Sequence, residues 1–219
     1  MIDTVIFDMD GLLFDTESIY FKCYQQAARE QGVDFPFELF VTCIGISREE
    51  AALFMRQHFG PKIDLKQLNN RTFQIVDKFL LDGGEIPFQP GAKAAVELFY
   101  NRGLKIGLAS SNMRRWVDFY LKKKGLSSYF SAITSSDEVT RLKPDPEVYL
   151  KTAAKLESDV NKCLVFEDSV AGATAGICAG MRTCMVPDLK QPDTFIEQHA
   201  FKIYKSLKEV PTDLEELLS

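Results

Sequence analysis

Histidine is almost missing from this chain, with two residues in 219, and no Cys-x-x-Cys pair occurs among its five cysteines. A zinc centre is therefore not expected. Cys23, Cys43, Cys163, Cys178 and Cys184 form an odd set, which argues against a disulfide framework. Cys163 and Cys184 fall inside predicted strands, where a free thiol serves as a small buried apolar group, and no catalytic cysteine is expected. No apolar stretch approaches the roughly 20 residues needed to cross a bilayer, and residues 1–7 carry no basic region ahead of a long apolar run. A soluble, cytoplasmic protein is the expectation. Basic clusters are lacking too. With a formal charge of −5 and a pI of about 5.2, neither nucleic acid nor an anionic membrane surface is an expected partner. Internal repeats and low-complexity segments are absent. At this length the chain can bury a sizeable core, as one large domain or a domain with a smaller insert.

What is present begins at Phe7-Asp8-Met9-Asp10-Gly11-Leu12-Leu13-Phe14-Asp15-Thr16-Glu17, four carboxylates directly behind the apolar run Val5-Ile6-Phe7. Asp8 and Asp10, one residue apart at the end of a buried strand, repel each other unless a cation compensates. Oxygen donors at this density suit a hard ion such as Mg²⁺, which takes one or two carboxylates and keeps part of its water shell. The plain alternative is a surface turn that ends a strand.

Thr4 to Phe7 is continuously apolar, as in a parallel strand covered on both faces. Helical patterns follow at 18–31, 47–59 and 64–82, with no convincing strand between Glu17 and Asp82. Ser47-Arg48-Glu49-Glu50 has the form of a capping box. Gly83-Gly84-Glu85-Ile86-Pro87-Phe88-Gln89-Pro90-Gly91 reads as a linker. Strands and helices then alternate: helix 92–101, strand 104–109, helix 113–124, strand 132–134, helix 146–156, strand 163–166, helix 170–179 and strand 183–186. A possible edge strand at 202–204 and a closing helix complete the tail. This alternation predicts an α/β fold, a doubly wound parallel sheet with a Rossmann-like core. Residues 1–15 and 87–219 would form the core, and 16–86 an inserted all-helical cap hinged over the site.

In an open parallel sheet, ligands bind beyond the carboxyl ends of the strands. The residues just past each strand are Asp8 and Asp10, then Ser110-Ser111-Asn112, then Ser135-Ser136-Asp137 leading to Lys143, then Glu167-Asp168-Ser169. Ser110 and the amides after it stand where a phosphate could be cradled, or where Ser and Asn simply cap the next helix. Lys143, locked before Pro144 and followed by the potential cap Asp145, is a candidate phosphate partner that would also keep a neighbouring acid ionised. Asp8, Asp168 and Glu167, with Asp10 through its carbonyl, would hold Mg²⁺.

Asp8-Met9-Asp10-Gly11, Ser110, Lys143-Pro144-Asp145 and Glu167-Asp168-Ser169 with Ala171-Gly172, in that order, resemble the haloacid dehalogenase-like superfamily, in its phosphatase and phosphomutase branch. The resemblance covers essentially the whole chain. It implies that Asp8 is the nucleophile that forms an aspartyl-phosphate, and that Asp10 protonates the leaving oxygen and then activates water. Mg²⁺ and Lys143 would neutralise the phosphoryl oxygens. Leu12 stands where many members carry Thr or Val. Dehalogenases of the superfamily lack a carboxylate at the place of Asp10, so its presence favours phosphoryl transfer.

Gly45-Ile46-Ser47-Arg48-Glu49-Glu50 and Thr16 resemble the cap of β-phosphoglucomutases, where the arginine meets the distal phosphate of the substrate. In a first helical turn Arg48 could equally serve surface ion pairs. The histidine and lysine that those mutases carry correspond here to Tyr20 and Asn69. The expected function is therefore a Mg²⁺-dependent phosphatase acting on a small sugar-type phosphate ester. A phosphosugar mutase is the alternative, and a non-catalytic phosphate-binding protein is disfavoured because Asp8 and Asp10 are intact. A monomer is the default expectation, and of Tyr20, Phe21 and Tyr24 at least two are expected to pack the cap rather than meet substrate.

Overall fold

The computed structural model describes residues 1–44, 46 and 48–219, without the Arg48 side chain. The sequence begins with β1 (Thr4–Phe7), whose four residues are all buried. Among the described residues four α-helices follow: α1 (Glu17–Arg29), α2 (Phe37–Cys43), α3 (Arg48–Phe59) and α4 (Leu65–Leu81). Then come α5 (Ala92–Asn101), β2 (Lys105–Ala109), α6 (Arg114–Lys123), β3 (Ala132–Thr134), α7 (Glu147–Lys155), β4 (Cys163–Glu167), α8 (Val170–Cys178), β5 (Arg182–Met185), α9 (Thr194–His199), β6 (Lys202–Ile203) and α10 (Leu214–Leu218).

The six strands are all parallel, in the order β3-β2-β1-β4-β5-β6. Thr4 faces Lys105 on one side and Cys163 on the other, and Phe7 faces Leu108 and Phe166. After β1 the chain builds outward to β3, then returns to place β4 on β1's other side. The order therefore reverses between β1 and β4, where open α/β sheets leave a crevice at the strand ends. Both faces of the sheet are covered, which is why its strands are apolar runs and not alternating ones. On one face Phe7 stacks on Phe166 at 5.4 Å, and Phe99 packs against both. On the other, Ile6 and Val165 pack with Tyr149, Ala153 and Ala175. Burial pushes the Cys163 thiol up to about 11 and Cys184 up to about 12, so neither is a thiolate near neutral pH.

The chain divides into two units, Met1–Phe14 with Phe88–Ser219, and Asp15–Pro87. Within the first, Phe14 bridges to Phe88 and the Gln89 N–H donates to the Leu13 carbonyl. Within the second, Asp15 N–H donates to Pro87 O, and Asp15 Oδ1 accepts from Ser18 N–H at the start of α1. The second unit is helical. Phe21 meets Phe37 and Phe40, while Tyr24 stacks on Phe35 and touches Phe40. Tyr20 makes an edge contact with Phe73.

Two helices depart from the expected pattern. α2 is seven residues long and follows Pro36, and α9 is six residues long and is capped by Asp193 accepting from Ile196 N–H. Helices this short show less than two full turns of periodicity, so the 3.6-residue signal has nothing to accumulate. β4 runs one residue further than expected, so Glu167 is a strand residue with its carboxylate placed by the pleat. Gly45 and Ser47, and with Ser47 the capping box expected at 47–50, lie outside the described residues.

Candidate active site

Asp8 follows β1 directly, and its N–H donates to Phe166 O at 3.0 Å, extending the ladder to β4. It is 5% exposed. The chain then turns sharply: Leu13 and Phe14 N–H groups both return to Met9 O, and Gly11 N–H returns to Phe14 O. Gly11 has φ +80°, and a Cβ there would overlap the Asp168 carboxylate. Only glycine therefore allows β1's turn and the end of β4 to approach so closely.

Lys143 reaches this point from the loop between β3 and α7, with a side chain 6% exposed. Its ammonium donates to Asp8 Oδ1 at 2.5 Å, Ala109 O at 3.0 Å and Glu167 Oε1 at 2.5 Å. An ammonium has three N–H donors, so all are committed to protein acceptors. The lysine is thus first a fixed charge between two acids, and it can bond a phosphate only by sharing or releasing one of these partners. The Lys143–Pro144 peptide is cis.

Glu167 is fully buried and accepts five hydrogen bonds. Oε1 takes Lys143 and the Tyr149 hydroxyl at 2.7 Å, and Oε2 takes Asp168 N–H, Ser169 N–H and Ser169 Oγ. Ser169 also caps α8 by accepting from Gly172 N–H. A Cβ at Gly172 would overlap the Glu167 carboxylate, so the small residue in α8's first turn makes its room.

The three ionisable groups divide unequally. Burial raises the Asp8 pKa well above its ordinary value; Lys143 opposes this, and the charges of Glu167 and Asp10 add to it. Burial works the same way on Glu167, but the Lys143 charge and the hydrogen bonds outweigh it and its pKa is lowered. Burial would lower the Lys143 pKa, and the two carboxylates more than reverse it. Lys143 stands 2.5 Å from each acid, so what separates them is the four further donors that Glu167 has and the Asp8 carboxylate lacks. Asp8, Glu167 and Asp168 each offer an oxygen within 4.8 Å of the others.

Asp10 faces elsewhere. Its Oδ2 lies 3.4 Å from Ser110 Oγ and 3.5 Å from Asn112 Nδ2. Its side chain is outside the three-acid cluster, so among the metal ligands expected from the sequence Asp10 can contribute through its carbonyl and not its carboxylate. The structure thus joins Asp8, Lys143, Glu167 and Asp168 at one point, and Asp10 with Ser110 and Asn112 at its side.

The cradle after β2 is narrower than expected. α6 begins at Arg114, four residues past Ser110. Asn112 N–H is taken by Ser110 Oγ, Met113 N–H by Asn112 Oδ1, and Arg114 N–H by Asp137 Oδ1. Side-chain capping has claimed these amides, and the exposed Ser111 keeps the one N–H in this loop that no described residue accepts. Beyond β3, Ser135 and Glu138 form a capping box and Asp137 anchors α6, so this rim braces the site without entering it.

The Arg48 side chain is outside the described residues. In the helical unit Tyr24 donates to Asn69 Oδ1 at 3.2 Å, and Tyr20, Tyr24, Phe40, Met55, Asn69 and Phe73 are among the residues lining a cavity of about 530 Å³. Tyr149 was not legible as a site residue, because an aromatic at a core-facing helical position looks like packing.

The sequence profile of the haloacid dehalogenase-like hydrolases matches residues 5–186. The chain belongs to this family, in its phosphatase and β-phosphoglucomutase-like branch, and is a phosphoric monoester hydrolase. It is 30% identical over 218 residues to the phosphorylated carbohydrates phosphatase of Thermotoga maritima, covering 99% of this chain and 100% of that one. Over 188 residues it is 34% identical to hexitol phosphatase B of Escherichia coli, covering 83% and 82%. Among solved structures, a Thermotoga maritima protein provisionally named a beta-phosphoglucomutase matches with a TM-score of 0.80 and 29% identity, covering 99% and 100%.

Proposed function

We propose that this enzyme is a Mg²⁺-dependent phosphatase that hydrolyses a small sugar-type phosphate monoester through an aspartyl-phosphate on Asp8. The observation that carries this reading is the asymmetry of Asp8. One oxygen is held by Lys143, while the other accepts no hydrogen bond from the described residues and so remains available. In the first step that oxygen attacks phosphorus and the ester bond breaks, with Asp10 giving its proton to the departing alkoxide. In the second, Asp10 takes a proton from water, which attacks the same phosphorus and releases phosphate from Asp8. Ser110 and Asn112 keep Asp10 turned to that task. Lys143 keeps Asp8 aimed and offsets its charge.

The donor set fits Mg²⁺. It consists of hard oxygens, and four acids, Asp8, Asp10, Glu167 and Asp168, stand against one buried lysine. Asp8, Asp168 and the Asp10 carbonyl are the proposed ligands. Glu167 can join them only by giving up one of its five donors. When bound, the metal supplies positive charge to the phosphoryl oxygens. The helical unit is assigned the role of a cap that selects the substrate, which the sugar and hexitol phosphatases among the relatives suggest is a phosphorylated carbohydrate or polyol.

The test is phosphate release from a panel of phosphate esters with Mg²⁺, with and without EDTA. Turnover of sugar or polyol phosphates that stops on chelation and returns with Mg²⁺ supports the reading, and metal-independent turnover removes the Mg²⁺ assignment. The likeness to a beta-phosphoglucomutase structure keeps a mutase as second reading. Phosphorus NMR of β-glucose 1-phosphate with catalytic bisphosphate separates the two: free phosphate is expected, and dominant glucose 6-phosphate would overturn the choice.

A further inference from the structure

We propose that the first turn of α7 is a two-point clamp on Lys143, with Glu147 and Tyr149 as positioning residues for phosphoryl transfer; this rests on the phosphatase reading above. Glu147 holds the backbone on which the lysine stands. Its carboxylate accepts from Thr140 N–H at 3.1 Å, Thr140 Oγ1 at 2.7 Å and Arg141 N–H at 2.9 Å. Lys151 pairs with the same carboxylate at 2.6 Å. The other side of the loop is closed by Asp145, whose N–H donates to Leu142 O, whose Oδ1 accepts Glu147 N–H, and whose Oδ2 meets Arg141 Nε at 3.1 Å. Lys143 stands between these two anchors, on a segment whose polar groups tie it to α7.

Tyr149 holds the other end. It is fully buried, its ring centre lies 5.0 Å from Lys143 Nζ, and its hydroxyl donates to Glu167 Oε1, the oxygen that also receives the ammonium. A phenylalanine would fill this part of the core equally well. A buried hydroxyl costs free energy unless it is bonded, and here its bond is spent on fixing the acceptor that aims Lys143. The ring face adds a cation–π contact to a desolvated ammonium. Backbone and side-chain tip are thus set by residues two apart on one helix, and a displacement at either end moves the charge beside Asp8.

The test uses Y149F, E147A and Y149L in the full chain, assayed with p-nitrophenyl phosphate and Mg²⁺. In parallel, trace acetylation and peptide mass spectrometry measure Lys143 labelling relative to the exposed Lys78. The expected result is a kcat lowered about threefold in Y149F and about tenfold in E147A, with KM within about twofold of wild type. Lys143 labelling should rise severalfold in both while Lys78 is unchanged. Y149L, which loses ring and hydroxyl, should fall furthest; if circular dichroism shows it unfolded, Y149F and E147A decide. Unchanged kcat and unchanged Lys143 labelling in those two variants would overturn the clamp. A wild type that turns over no phosphate ester would instead overturn the phosphatase reading, and Lys143 labelling would still report the clamp.

Discussion

Asp8 beyond β1 and Glu167 at the end of β4 sit on neighbouring strands and share one lysine, yet the fold treats them in opposite ways. Glu167 receives five hydrogen bonds and keeps its charge at low cost. Asp8 receives one from a side chain, and burial with two further acids nearby raises its pKa. Similar burial therefore produces a well-compensated anion at one strand end and an under-compensated carboxylate, the proposed nucleophile, at the other. The difference teaches that donors, not depth, decide which buried acid is poised for chemistry.

The largest effect expected from breaking this comparison is at Asp8. Asp8→Asn should reduce turnover to background, because the proposed attacking oxygen is gone. It should lower Tm in metal-free buffer less than Glu167→Gln does: a raised folded-state pKa means that ionised Asp8 itself costs stability as pH rises above the ordinary 3.8, which offsets part of the lost Lys143 contact. A fall in Tm as large as that expected for Glu167→Gln would show the asymmetry to be wrong. Steady-state kinetics and calorimetry check both statements.

Asp10→Asn comes next, with kcat lowered about 10²–10⁴-fold, the usual range for a lost general acid–base. Glu167→Gln should lower stability, beyond whatever turnover it loses by releasing Lys143. Removing one partner of a buried ion pair costs about 3–5 kcal/mol, and denaturant unfolding reads it directly. If Glu167→Gln proves as stable as wild type, Glu167 is not the anchor its hydrogen bonds imply.

The smallest effect is expected outside the acid cluster. Glu147, whose side chain is 14% exposed, has its pKa drawn down from 4.5 to about 2 by Lys151, then by Thr140 and Arg141. A depressed pKa gives stability that is fully present above about pH 4.5 and is lost as pH falls through about 2. Glu147→Gln should lower Tm by a few degrees at pH 7, and the gap to wild type should close as pH approaches 2. A gap that stays constant over that range would mean that the charge of Glu147 is not what holds the Thr140 loop.

Much of the frame was legible beforehand. The continuous apolar run Thr4–Phe7 followed by Asp8 marks a doubly covered strand with acids at its end, and the alternation after Pro90 marks the parallel sheet. Long helices were visible because periodicity accumulates over several turns, as in the 17 residues of α4; α2 and α9 were not, because theirs does not. The rule that ligands gather beyond strand ends brought Asp8, Lys143, Glu167 and Asp168 onto one rim. It also brought Ser135 and Asp137 there, and the structure uses these as caps.

By itself, then, the sequence determined which side chains stand at the strand ends, since strand period and chain order set that locally. Tertiary structure alone decided what each of them is. Lys143 meets Asp8 across 135 positions and Glu167 across 24, and Tyr149 reaches Glu167 across 18. Ser110 meets Asp10 across 100. A carboxylate's charge depends on every donor and acid within a few ångströms, and those neighbours come from segments whose spacing along the chain carries no record of their meeting.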